Sequence, residues 1–158
     1  MPMIPEYKLY HGAVLAEIVQ GLPCPVTIDE LDEDGRLSSY ILNEHVGLQI
    51  KHSTQRLRPW SFTFTRPNVA ELLDLRSRCS DVFVVFVGGA LGMVCISIEE
   101  MIEIMDAGDS GQIWIRIDRP RGKWFSVFGA KGPLAAKKPN GLECLLDRLQ
   151  PADMKVCA

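Results

Sequence analysis

The 158-residue chain has little that would tie it to a familiar class of site. Its three histidines are scattered, and its five cysteines, Cys24, Cys79, Cys95, Cys144 and Cys157, are widely spaced with no CxxC pair or Cys/His cluster. Structural zinc is therefore not expected. An odd number of well-separated thiols suits a reducing compartment, with Cys79 and Cys95 expected as buried thiols beside or within apolar segments. No apolar run approaches the ~20 residues that span a bilayer. The start, Met1-Pro2-Met3-Ile4-Pro5-Glu6, lacks a basic stretch followed by an apolar one. The expectation is a cytoplasmic protein with no membrane partner. GxGxxG after a strand, GxxxxGK[ST], HExxH and GxSxG are all absent, which removes the usual dinucleotide, P-loop, zinc-protease and serine-hydrolase signatures. There is no internal repeat and no low-complexity tract.

What remains is ordinary globular composition, 47% hydrophobic and 23% charged, in a chain long enough for one domain with a substantial core. The net charge is −3, so no global basic signature exists. The distribution is uneven: Asp29, Glu30, Asp32, Glu33 and Asp34 form an acidic run, while Arg116, Arg119, Arg121, Lys123, Lys131, Lys137 and Lys138 make the last third basic. Such a bias fits either a nucleic-acid face or solvated loops.

Hydrophobic periodicity gives the elements. Tyr7 to Gln20 reads as a helix with Leu9, Val14, Leu15, Ile18 and Val19 on one broad face, stopped by Gly21 and Pro23. Glu17 lies among these apolar residues, as either a solvated flank or a carboxylate aimed into a site. Pro25 to Leu31, Arg36 to Leu42 and Val46 to Ser53 read as an antiparallel three-strand meander, with Asp34-Gly35 as a hairpin dipeptide. On the third strand Leu48 and Ile50 face one way, and Gln49, Lys51 and Ser53 the other. His52 points away from Lys51 and reads better as a structural residue than as a ligand.

Trp60 to Phe64 alternates cleanly, so Trp60 is better taken as core than as a base-stacking residue, and the strand is expected at or near the meander. Asn68, with Glu71 three residues on, is the expected cap of a helix running to about Cys79. Val82 to Val87 is apolar without interruption, which predicts a central strand covered on both faces. Gly92 to Ile96 is its hairpin partner. Ser97 with Glu100 caps a third helix, Gln112 to Asp118 and Lys123 to Phe128 form a second hairpin, and Leu142 to Leu149 forms a short terminal helix.

The order of a helix, a meander ending in Gln49-Ile50-Lys51, a helix and a buried strand resembles the PD-(D/E)XK nuclease superfamily. The stretch Leu48-Gln49-Ile50-Lys51-His52-Ser53 is similar to the Gln-x-Lys-Ser/Thr strand of a bacterial nuclease-like domain family of uncharacterised function. The resemblance covers about residues 7–105, leaving 106–158 as a C-terminal extension. It implies one α/β domain with a mixed sheet, a restriction-endonuclease-like α-β-β-β-α-β core and an added C-terminal β-hairpin.

As function it implies metal-dependent hydrolysis of DNA phosphodiesters with Mg²⁺ or Mn²⁺. Lys51, Gln49 and Glu17 would form the catalytic set, with Glu17, Gln49 and one borrowed acid, Asp34, as ligands. A metal would activate water and neutralise the phosphate, and Mg²⁺ takes oxygen ligands in an octahedron. Arg56, Arg58 and Arg66 beside the third strand are candidate phosphate contacts.

The sequence departs from the family pattern on the second strand. A turn centred on Glu44 pairs Gln49 with Ser39 and Lys51 with Leu37, and Ser38-Ser39-Tyr40 carries no carboxylate where the family has aspartate. The nearest acids are Asp29, Asp32 and Asp34. The alternative expectation is therefore a catalytically inactive nuclease-fold module that binds nucleic acid, a protein partner or a second copy of itself. The Arg116 to Lys123 hairpin is either a second basic contact or a charged edge that resists aggregation.

Overall fold

The computed structural model describes residues 3–33, 36–106, 108 and 111–150. In chain order the elements are α1 (Glu6–Gly21), β1 (Ile28–Glu33), β2 (Arg36–Leu42), β3 (Val46–Ser53), β4 (Trp60–Phe64), α2 (Arg66–Arg78), β5 (Asp81–Gly88) and β6 (Met93–Ser97). Then follow α3 (Ile98–Ile104), β7 (Ile113–Asp118), β8 (Ser126–Gly129), β9 (Gly132–Pro133) and α4 (Glu143–Leu149). The chain is α/β, with a mixed five-stranded sheet in the order β1-β2-β3-β5-β6 and an antiparallel four-stranded sheet in the order β4-β7-β8-β9. In the larger sheet β3 and β5 run parallel and the other neighbours antiparallel.

The apolar run of β5 explains how the layers stack. Phe83, Val85 and Val87 pack with Val14 and Ile18 of α1 and with Leu145 and Leu149 of α4. Val82, Val84 and Phe86 pack with Leu72 and Leu75 of α2 and with Phe62, Ile115 and Ile117 of the second sheet. Successive strand side chains point to opposite faces, so one strand serves two cores, as an uninterrupted apolar strand must.

Turn chemistry fixes the register of β3. Asn43 and Glu44 both have positive φ, 49° and 67°, a conformation that Asn tolerates because its short amide can bond locally. The Asn43 Oδ1 accepts from the Thr27 N–H at 3.0 Å. The resulting pairing sets Ser39 opposite Gln49, as expected from a turn centred on Glu44.

Four features differ from the sequence reading. The first strand begins at Ile28, because Pro23 and Pro25 keep the preceding segment out of the ladder, and it runs on through Asp32 and Glu33. The expected Asp34-Gly35 turn lies outside the described residues. The cap of α2 is Thr65, with Asn68 at the third helical position and Pro in the first turn. Thr65 Oγ1 accepts from the Asn68 N–H at 3.4 Å, and Asn68 Oδ1 from the Thr65 N–H at 3.1 Å.

On α1 the buried positions are His11, Val14 and Ile18, while Leu9 and Val19 are exposed. The buried stripe is narrower than the apolar one, and it includes a histidine. Finally, β4 does not extend the meander. It pairs antiparallel with β7, Phe62 opposite Ile115, because its inward Phe62 and Phe64 fill the space between the two sheets against Phe86.

Candidate functional site

Gln49 and Lys51 point from β3 toward α2, and the first turn of that helix closes over them. Gln49 is fully buried, and its Nε2 donates to the Asn68 carbonyl at 3.2 Å. Its Oε1 and the Oγ of cross-strand Ser39 are buried with no hydrogen-bond partner among the described residues. Lys51 Nζ donates to Asn68 Oδ1 at 3.3 Å and stands 4.9 Å from the centroid of the Phe64 ring. Burial pushes the Lys51 pKa down, while the Glu71 carboxylate acts in the opposite direction. A half-buried ammonium against one amide oxygen and one aromatic face loses hydration that these contacts only partly replace. The result is a polar island of Ser39, Gln49, Lys51, Asn68 and Glu71 between sheet and helix.

Glu17 does not join it. It is exposed on α1, and α1 covers the face of β3 that carries Leu48 and Ile50. The carboxylate that acts on Lys51 is Glu71, one turn after Asn68 on α2. Asp34 lies outside the described residues. Asp29 is exposed on the edge strand, paired with Ile41.

Among the described residues no group of three or more His, Cys, Asp and Glu comes together that could hold a metal ion. The donor set at Gln49 and Lys51 does not fit Mg²⁺ or Mn²⁺. Among the described residues it offers one carboxylate, of Glu71, with the amide oxygens of Gln49 and Asn68 and the Ser39 hydroxyl, beside a lysine ammonium, where a hard divalent ion takes an octahedron of oxygens, carboxylates above all.

The opposite face of β3 carries a second polar cluster. His52 stacks on Tyr10 of α1 with ring centroids 4.7 Å apart and planes inclined by 12°. His11 shares a 2.9 Å hydrogen bond with the Tyr40 hydroxyl. Burial, then the neighbouring His52, lowers the His11 pKa to about 4. Burial, followed by the Glu30 charge and then Tyr7, raises that of Tyr40 to about 12. Both groups are therefore neutral at pH 7, and the pair is a satisfied core contact that anchors α1.

The candidate phosphate contacts separate. After β3, the Gln55 amide donates to the carbonyls of Leu57 and Pro59, both at 3.0 Å. Its own carbonyl accepts from Trp60 Nε1 at 3.0 Å. The braced loop leaves Arg56 and Arg58 outside. They border an open groove of about 520 Å³ whose other walls include Arg119, Arg121, Leu57, Leu91 and Trp60. Trp60 is 2% exposed, as its alternation with Phe62 and Phe64 predicts, and its ring lies against Gly88.

Arg119 pins the groove from the other side. Its Nε donates to the Lys123 carbonyl at 2.7 Å and one terminal nitrogen to the Leu91 carbonyl at 3.2 Å. Its guanidinium lies over Phe125. Arg58 pairs with Asp118 at 3.3 Å. Arg66 is elsewhere: its side chain lies against Gly111, beyond the end of β7 remote from the groove.

The sequence shows Arg119 and Arg121 as hairpin charges but gives no sign that they meet Arg56 and Arg58. That meeting needs the pairing of β4 with β7. Asn68 was legible only as a cap, and its contact with Lys51 follows from where α2 crosses β3. Compared with protein-family models, curated proteins and solved structures, the chain finds no match in any of the three.

Proposed function

We propose that this chain is a nucleic-acid-binding module of nuclease-like architecture that holds a phosphodiester chain without cleaving it. The observation that carries this reading is the convergence of Arg56, Arg58, Arg119 and Arg121 on one groove that Leu57, Leu91 and Trp60 also line. Guanidinium forks match phosphate oxygens in pairs; Arg56 and Arg121 supply the charge that dominates affinity for a polyanion, while Arg58 is paired with Asp118 and Arg119 is held by the Lys123 and Leu91 carbonyls. The Gln-x-Lys strand favours the binding reading over catalysis, because Gln49 is buried and Lys51 half-buried beside α2, and both are bonded to Asn68.

The test is fluorescence anisotropy of short labelled DNA across a series of salt concentrations. Affinity should fall linearly on a log–log plot, and Arg56→Ala and Arg121→Ala should each reduce the slope by about 0.7–0.9. Salt-independent binding, or variants that match the parent, would refute the groove assignment.

A second reading is metal-dependent phosphodiester hydrolysis at Gln49 and Lys51. One observation favours it, the Glu71 carboxylate acting on Lys51. It requires that Mg²⁺ or Mn²⁺ both raise the melting temperature and support cleavage, with cleavage lost in Lys51→Ala. On the binding reading neither ion does either.

A further inference from the structure

We propose that the outer face of the second sheet is a stacking platform for the bases of a single-stranded nucleic acid whose phosphates enter the arginine groove. This deepens the binding reading above and rests on it.

Strand alternation divides the second sheet. Trp60, Phe62, Phe64 and the three isoleucines of β7 turn inward and are buried. Trp114, Arg116 and Phe128 turn outward. Trp114 is 42% exposed, and Arg116 is exposed. An exposed tryptophan is costly to leave in water, and this one is not isolated.

Arg116 lies directly opposite Phe128 on β8 and Ser61 on β4. Its guanidinium carbon is 5.6 Å from the Trp114 ring centroid and 5.7 Å from that of Phe128. The two rings meet edge to face at 6.5 Å and 83°. The Arg116 Nε donates to Ser61 Oγ at 3.1 Å, which fixes the guanidinium plane. Three planar groups are thus held in a cluster on the outer face of the sheet, with one of them carrying positive charge.

The platform and the groove share a link. Asp118, two residues after Arg116 on the same face of β7, binds Arg58, and Arg58 borders the groove. Asp118 is the single acid among the outward positions of β7, and Arg58 offsets it. The charge running from Arg116 to Arg56 and Arg121 is complementary to a polyanion.

A single strand uses both halves of this surface. Its unstacked bases present π-faces to Trp114, Phe128 and the Arg116 plane, while its phosphates meet arginine forks. A duplex hides its base faces within its own stack and can use only the groove. Stacking of this kind is tolerant of base identity, so the preference expected is for strandedness rather than sequence.

The experiment compares four labelled probes on the full chain: a single strand, the duplex of the same sequence, an abasic strand of equal length and a poly-glutamate peptide. The single strand should bind most tightly. Trp114→Ala should weaken it about tenfold, or about 1.4 kcal/mol, with the salt slope and the duplex affinity unchanged. Trp114→Phe, which keeps a ring, should retain most of the affinity. The abasic strand should bind no better than the duplex. Because Trp114 is on the surface, an unchanged melting temperature verifies that the variant is folded.

Equal affinity for strand and duplex, with Trp114→Ala silent while Arg56→Ala still weakens both, overturns the platform and leaves the groove reading standing. No binding to any nucleic acid overturns both, as does tighter binding of the poly-glutamate peptide than of any strand.

Discussion

Lys51 and His11 are two basic side chains on opposite faces of the same sheet, and both are held below their ordinary pKa by burial. For a base whose folded pKa is depressed, the unfolded chain binds the extra proton, so stability rises with pH through the interval between the two values. For His11 that interval runs from about 4 to 6.5. Stability should fall as pH drops through it. In His11→Phe the acid limb should be shallower by about 3 kcal/mol, although the lost Tyr40 bond costs about 1 kcal/mol at neutral pH. Urea melts of parent and variant at a series of pH values measure both effects, and parallel curves would refute the assignment.

Lys51 makes the opposite comparison. Replacing it with Met removes a charge whose desolvation is only partly offset by Asn68 and Phe64. The substitution should stabilise the fold by about 1 kcal/mol at pH 7. That gain should shrink as pH approaches 10.5, the ordinary lysine value at which the parent sheds the proton in either state. A loss of stability at pH 7 would mean that the Asn68 contact outweighs burial.

At the scale of elements, the first turn of α2 has two tasks carried by one residue. The Asn68 side chain closes the cap with Thr65 and receives Lys51, and its carbonyl receives Gln49. Asn68→Ala should therefore cost more than a cap alone, about 2 kcal/mol or more, since it also takes a hydrogen bond from the half-buried Lys51 ammonium. Thr65→Ala should cost about 1 kcal/mol. Equal losses would mean that the Lys51 contact contributes nothing.

The second close joint is between β8 and α3. A Cβ on Gly129 would overlap the Ile104 carbonyl oxygen, a backbone atom with no rotamer to yield. That same carbonyl accepts from the Lys131 N–H at 3.1 Å. Gly129→Ala should displace the second sheet from α3 and cost roughly 2 kcal/mol or more, read as a lowered urea midpoint.

At the scale of the molecule, β5 contributes Val82, Val84 and Phe86 to one core and Phe83, Val85 and Val87 to the other. Loss of either core would expose one apolar face of β5 to water and so weaken the strand that the other core depends on. The two sheets should therefore unfold in one transition, with tryptophan fluorescence and far-UV circular dichroism coincident in urea. Two resolved transitions would show that the second sheet is a separable unit. Among the described residues no helix is long and apolar enough to cross a membrane.

The sequence by itself determined the elements and most of their local partners. The 3.6-residue period marked α1. Alternation marked β4 and β7, and the uninterrupted run marked β5 as central. A turn at Glu44 gave the pairing of Gln49 with Ser39, and Ser97 with Glu100 gave the cap of α3, with the Ser97 side chain accepting from the Glu100 N–H at 3.2 Å. These are short-range constraints, set by backbone geometry within a few residues.

Only the tertiary structure decided which side chains far apart in sequence would meet. It put α1 on the Ile50 face of β3, which separates Glu17 from Lys51. It laid α2 over Gln49, which brings Glu71 rather than Glu17 to the lysine. It paired β4 with β7, which carries Arg119 and Arg121 to Arg56 and Arg58. Those outcomes depend on how two layers pack against the two faces of one sheet. An alternating pattern states that a strand has two faces, and packing alone assigns a neighbour to each.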